Sequence, residues 1–453
     1  MAIVRPFNGM RFTENAGDIK DVCCPPYDII SDEQRKKFIK KNSNNVIRLE
    51  LPREKGNPYK KAKAILDKWL EDGVLKIDEE TCFYIYGESF EVDGKEYSFK
   101  GIIGKVFLYE FERGIILPHE NTLSKAKEDR FNLMKETACN FSQVYSLYDD
   151  PNGRIDKSIE KLTNREPDVQ FTDADGVTHT MWVVPRCTEV DKISANMAGK
   201  KLYIADGHHR YETAIRYRNY LREEGVISEF GENEADYIMM MLVNMQSKGL
   251  VVFPTHRIIH SLKKFSATKV VNALGEYFDI TTSKVPETAQ NKLKAIYDSG
   301  AKGFNMYDGK KYYIMQLKNK DVMKKFLPDS SEALRNLDVS ILHKLVLENL
   351  LEIDEENMAN GTNLTYTRDE AEAINAVNNG EADCAFILNP TRVEEIGDVA
   401  RAGEKMPQKS TYFYPKLITG LVMNKLDRVP PAPLESEEKK AEYVEPEVEI
   451  IEM

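Results

Sequence analysis

Leu202-Tyr203-Ile204-Ala205-Asp206-Gly207-His208-His209-Arg210-Tyr211-Glu212-Thr213-Ala214 is the stretch from which the rest of the chain is read. Lys201 to Ala205 reads as a strand, Gly207 makes a turn, and Arg210 to Glu224 forms a helix stopped by Gly225. A helix start leaves backbone N–H groups unpaired and carries partial positive charge, so this turn is a ready anion site. Gly207 lets backbone approach a ligand with no Cβ in the way. His208, His209 and Arg210 add donors, and a guanidinium can grip a phosphate through two parallel bonds. Asp206 cannot share that anion; its expected work is to orient a histidine or to hold Mg²⁺ beside the phosphates. The plain alternative is a capped helix, with Asp206 as the cap and the two histidines filling a polar turn.

Around this stretch the pattern is of mixed α and β type. Tyr237 to Met245 reads as a buried strand and Leu250 to Phe253 as a short one, so strand, helix and strand make an α/β core. Asp93-Gly94, Asp175-Gly176 and Asp308-Gly309 each mark a hairpin turn. Ser31 caps a helix from Asp32 to Lys41 with Gln34 at the capping-box position, and Pro58 to Leu70 carries an apolar stripe of Ala62, Ile65, Leu66 and Trp69. Val46 to Leu51 alternates apolar and charged residues and reads as a half-buried strand. Further on, Val339 to Leu351 reads as one amphipathic helix, Ala371 to Asn379 as another, and Cys384 to Leu388 as a strand.

At 453 residues the chain exceeds one ordinary core. The expected divisions are an N-terminal α+β region over 1–150, a core over 151–260 carrying the turn, a small α+β module over 261–330, and an α/β region over 331–428. Residues 429–453 form a Pro- and Glu-rich tail expected to be disordered. From Leu434 onward that tail holds eight Glu against two Lys, so of the net charge of −11 the body carries −5. An acidic body lacks the positive field that non-specific nucleic-acid binding needs. No run of 18 apolar residues and no secretory leader is found, and the six cysteines show no C-x-x-C pair, which points to reduced thiols in the cytoplasm.

Three other clusters carry chemistry, each at an element boundary. Pro118-His119-Glu120-Asn121-Thr122 sets an imidazole, a carboxylate and a hydroxyl ahead of the helix Ser124 to Glu136; Glu120 is the free carboxylate a hydroxyl substrate needs as a base. Pro254-Thr255-His256-Arg257 adds a second His-Arg pair. Lys409-Ser410-Thr411 joins a lysine to hydroxyls that can bind phosphate, although no Walker loop is present, and Tyr412-Phe413-Tyr414 beyond it reads as a buried strand. His119, Thr122, Glu212, His256 and Arg257 are the residues expected to line the substrate cleft. Zinc is the competing use of His119, His208, His209 and His256 with Asp206 or Glu120, although H-E-x-x-H is absent.

Ala205 to Ala214 resembles the hallmark of a large uncharacterised bacterial and archaeal family, a domain of unknown function. So do Arg5-Pro6-Phe7, Pro25-Pro26-Tyr27-Asp28, the segment from Pro118-His119-Glu120 to Arg130, Pro254 to Arg257, and Met406 to Lys416. More distantly, the turn resembles the phosphate-binding turn of sulfiredoxin and the D-G-H-x-R turn of free serine kinases, both of the ParB-like nucleotide-binding superfamily. That resemblance implies a ParB/sulfiredoxin-like core elaborated with further α+β modules. It also implies that Gly207, His208, His209 and Arg210 hold nucleotide phosphates, with Asp206 near the transferred group. His208 stands where sulfiredoxin has its reactive cysteine, which argues against sulfinic-acid reduction.

The resulting expectation is a phosphotransferase between a nucleotide (ATP or ADP, with Mg²⁺) and a small hydroxyl metabolite, serine or phosphoserine among them. Asp206, Glu120 and His208 would be catalytic, and Gly207 to Arg210 with Lys409, Ser410 and Thr411 would bind phosphate. The alternatives are a non-catalytic nucleotide or metabolite sensor and a metal-dependent hydrolase.

Overall fold

A computed structural model describes residues 1–120, 124–228 and 232–426, apart from the side chains of 124–126 and 359. Its larger sheet has nine strands. Across it lie Ile116–Leu117, Leu202–Asp206, Val144–Tyr148, Tyr237–Asn244, Lys95–Phe107, Cys82–Val92, Thr178–Pro185 and Val169–Thr172, with Val4–Arg5 added against Lys95–Phe107. Two pairings are parallel, Leu202–Asp206 with Ile116–Leu117 and Tyr237–Asn244 with Val144–Tyr148, and the rest are antiparallel. The helix His208–Glu223 therefore leaves one strand, and the chain re-enters on the far side of Val144–Tyr148 in the opposite direction. The architecture is mixed α/β. Tyr237–Asn244 sits in the middle of the sheet and is buried at every position, which is why it reads as an unbroken apolar run.

The second sheet has six strands, all antiparallel, in the order Phe278–Ser283, Tyr312–Leu317, Gly303–Tyr307, Cys384–Leu388, His256–Ile259 and Leu364–Thr367. Residues 261–330 and 331–428 both supply strands to it. The chain passes from the first sheet to the second beside a short ladder, Val251–Phe253 against Tyr412–Tyr414. One apolar cluster, including Tyr203, Met241, Phe304, Phe386 and Phe413, is shared by both sheets.

Local chemistry sets many boundaries. Asp93 and Gly94 both have positive φ, at 51° and 74°, the backbone that a two-residue hairpin turn requires. Ser31 and Gln34 form the reciprocal capping box over Asp32–Lys41, and Pro58–Glu71 buries Ala62, Leu66 and Trp69. Val46 to Leu51 is not a strand. Ile47–Glu50 is a turn of helix, because the buried Asn45 side chain accepts from the Ile47 N–H at 3.0 Å and anchors its amide on the Asp21 and Cys23 carbonyls. Val339 to Leu351 divides into an α turn, Asp338–Ile341, and a wider π-helix, Leu342–Glu348. Rather than closing the preceding strand, His256 and Arg257 open one of their own, His256–Ile259. Thr122 and the acidic tail lie outside the described residues. No helix among those residues is long and apolar enough to cross a membrane.

Candidate functional site

The strand Leu202–Asp206 does not reach the turn in regular register. Ile204 faces Ser146 and Asp206 faces Tyr145, so Ala205 is an extra residue, a bulge that shifts the register of Asp206, the last residue of the ladder. Gly207 then takes φ +94°, a conformation side chains resist, and begins the 16-residue helix. A Cβ at Gly207 would lie 2.9 Å from the Arg210 Nε. The guanidinium is thus folded beneath the turn, its Nη1 donating to the Gln143 carbonyl at 2.5 Å and its Nη2 to Asp206 Oδ2 at 3.4 Å. Arg210 therefore braces the turn, and the two-pronged phosphate grip expected of it is already committed to protein oxygens.

Asp206 is a charged hub. Lys416 Nζ stands 3.5 Å from the oxygen that Arg210 approaches. Burial alone would raise this carboxyl, but Lys416 and then Arg210 hold it down, to about 2. Lys416 also lies over the Tyr412 ring at 4.4 Å, and Arg368 over the same ring at 4.0 Å.

Two histidines tie three segments together. The His119 N–H donates to His208 Nε2 at 3.2 Å, which places the His208 proton on Nδ1. His119 Nδ1 donates to the Ile204 carbonyl at 2.6 Å, leaving Nε2 to accept from Thr411 Oγ1 at 3.0 Å. The rings meet edge to face at 4.8 Å. Both are buried, and burial lowers both pKa values, that of His208 furthest, so both are neutral. His208 thus spends Nε2 on the His119 N–H, with the ring buried beneath the His119 loop, and Nδ1–H is the donor left to it.

Glu120 continues the convergence. Its Oε1 accepts from the Lys409 N–H at 2.8 Å, and the His119 carbonyl accepts from the Met406 N–H at 2.7 Å. Lys409 takes φ +56° as it does so. Ser410 is buried and turned inward, its hydroxyl donating to the Pro407 carbonyl. His209 is half-buried; burial lowers its pKa, the charges of Glu120, Glu212 and Asp28 act to raise it, and that of Lys409 acts to lower it. Glu212 is paired with Lys127 at 2.8 Å. His256 and Arg257 lie in the second sheet, buried, with His256 Nδ1 accepting from the Leu388 N–H at 3.2 Å and lowered to about 4 by burial and by Arg257. They do not line the turn, although the charge of Glu120 reaches Arg257.

The donor set does not fit zinc: His119 has both ring nitrogens engaged, His208 and His256 each accept from a backbone N–H, and among the described residues no three metal-ligating side chains cluster. Nor does it preform a Mg²⁺ cradle, since Asp206 already faces two cations. Lys416, Asp28 and Tyr412 are the residues that sequence reasoning passed over. Lys416 closes the Met406 to Lys416 stretch and Asp28 the Pro25 to Asp28 turn, so recurrence of both stretches was the available signal. With Lys409 and His209 they give a rim of cations and carboxylates around a helix start.

None of the curated proteins matches the chain. Among solved structures, a free serine kinase in complex with AMP is similar with 14% identity and TM-score 0.33, covering 72% of this chain and 91% of that one. A conserved hypothetical protein from Pyrococcus furiosus aligns with 14% identity and TM-score 0.34, covering 72% and 95%. SbnI with a C-terminal truncation, from Staphylococcus aureus, aligns with 11% identity and TM-score 0.33, covering 71% and 86%. A family model matches residues 4–340, most of the chain, and the chain accordingly belongs to the family described as Protein of unknown function (DUF1015).

Proposed function

We propose that this protein is a nucleotide-dependent phosphotransferase acting on a small hydroxyl metabolite, with serine or phosphoserine as the first compounds to try. The observation that carries the reading is the convergence of the 119–120 and 409–416 segments on one helix start: His119 bonds His208, Glu120 bonds the Lys409 N–H, and Lys416 stands against Asp206. The resemblance of the Asp206 to Arg210 turn to that of free serine kinases, and through it to a ParB-like core, supports the same reading. In this scheme the backbone at 208–210, with His209 and Lys416, receives the phosphates, and Asp206 hands Lys416 over as they arrive. Glu120, held by the Lys409 N–H, is the base for the acceptor hydroxyl. Mg²⁺ carried in with the nucleotide would neutralise phosphate charge.

Calorimetric titration of ATP and ADP, with MgCl₂, into wild type, His209→Ala and Lys416→Ala tests it. Saturable binding by wild type that weakens at least about tenfold, about 1.4 kcal/mol, in each variant is expected. No binding at millimolar nucleotide would sink the proposal. Binding without phosphate transfer to any of a panel of hydroxyl compounds would instead favour a sensor.

A further inference from the structure

A cavity of about 280 Å³ opens on the other side of the 405–408 loop, and none of residues 206–210 lines it. Leu334 and Met358 supply apolar wall, Ser340, His343 and Tyr366 polar wall, and Lys344, Glu348, Glu355 and Lys405 a charged part in which Lys344 and Glu348 pair at 2.6 Å. Part of the wall is the π-helix Leu342–Glu348, a geometry that widens a helix and recurs at ligand sites.

Two features of this wall are unexplained by the fold alone. The Ser340 hydroxyl, on a residue only 2% exposed, has no hydrogen-bond partner among the described residues, and neither does the covered hydroxyl of Tyr366. Buried hydroxyls left without partners carry a desolvation cost that nothing offsets. Behind them stands Arg257, fully buried, with Nε and Nη2 directed at His343 Nε2 at 3.3 and 3.2 Å, Nη1 donating to the Thr255 carbonyl, and its guanidinium 5.3 Å from the Tyr366 ring centre. Among the described residues no carboxylate reaches ion-pair distance of it; the acid whose charge acts on it is Glu120, across the loop. A buried cation with only neutral partners next to a cavity with two idle hydroxyls is half of an anion site.

We propose that this cavity binds a small organic carboxylate on a short apolar body. Its oxygens take the hydroxyls of Ser340 and Tyr366, its charge is set against Arg257 behind the His343 ring, and its apolar part lies along Leu334 and Met358. The site does not depend on the nucleotide reading, and it is built from different residues.

Thermal melting of the full chain tests it with propionate as probe, propionamide as the neutral isostere and sodium chloride as the matched salt. Propionate at about 0.1 M raises Tm by about 2 °C or more above chloride; propionamide gives no such increment. The double variant Ser340→Ala/Tyr366→Phe loses the propionate increment, and Tyr366→Phe alone, which keeps the ring over Arg257, loses at least about half of it if the double variant does not fold. The assignment is overturned if propionate does no more than chloride, if propionamide matches it, or if the increment survives in Tyr366→Phe and in the double variant.

Discussion

Replacing Asp206 by Asn removes one charge from the turn and leaves the shape. In the folded chain the carboxyl is held at about 2 against an ordinary 3.8, chiefly because Lys416 and Arg210 overcome the effect of burial. At 1.36 kcal/mol per tenfold, that lowering stabilises the folded state by about 2 kcal/mol at neutral pH. The side chain is 24% exposed, so solvent screens the group only in part. Because the folded pKa lies below the unfolded one, the contribution is complete above pH 3.8 and is lost as pH falls toward about 2. Urea unfolding of wild type and Asp206→Asn at pH 7, 5, 4, 3 and 2 should therefore show a difference of about 2 kcal/mol that holds to pH 5, then closes. A second arm adds Lys416→Met to each chain. Removing both partners should cost less than the two single changes summed, since each single change strands a charge. A difference that stays constant from pH 5 to pH 2, or strict additivity, refutes the description of Asp206 as a hub between two cations.

Gly207→Ala should lower stability by about 2 kcal/mol or more, from positive-φ strain and displacement of the Arg210 guanidinium, measurable as a fall in Tm. His208→Ala should destabilise by about 2 kcal/mol through its lost ring and the orphaned His119 N–H, while His209→Ala should change stability by less than about 0.5 kcal/mol; the two melting curves decide it. Glu88 is fully buried beside Tyr86, and burial raises its carboxyl to about 8. The folded chain thus keeps a proton that the unfolded chain sheds near 4.5, so wild-type stability should fall relative to Glu88→Gln by about 1.4 kcal/mol per pH unit from 4.5 to 8, read from urea midpoints across that range.

Features written in a few adjacent residues were legible. The three Asp-Gly hairpins, the Ser31 capping box and the Asp206 to Arg210 strand-to-helix turn all depend on local backbone chemistry, and all stand where the sequence puts them. Val46 to Leu51 was misread because its alternation is genuine; what makes it helical is Asn45, whose side chain reaches to residues 21 and 23. The convergence of His119-Glu120 and Lys409 to Thr411 on the turn could be framed only as a condition, since the joining bonds span distant parts of the chain. The partner of Lys416 was hidden for the same reason: a lysine after a proline declares none until the strand before it is placed. Arg210 shows the opposite error. Its type matched phosphate recognition, but a glycine three residues earlier leaves room for it beneath the turn, and there it satisfies carbonyl and carboxylate oxygens of the protein itself.

The ladder between Val251–Phe253 and Tyr412–Tyr414 closes a chain loop that takes in everything from 254 to 411, the second sheet included, whose apolar core runs on into that of the first. Phe253 and Tyr412 are directly paired, so the two chain ends at this neck lie about 5 Å apart, a gap that a two-residue turn can bridge. Excision there would remove the carboxylate cavity and Lys409 to Thr411 in one cut, yet keep the Gly207 turn, Tyr412 and Lys416. A cut at this neck would thus keep His119, Glu120 and Lys416 with the turn and part them from Lys409 to Thr411.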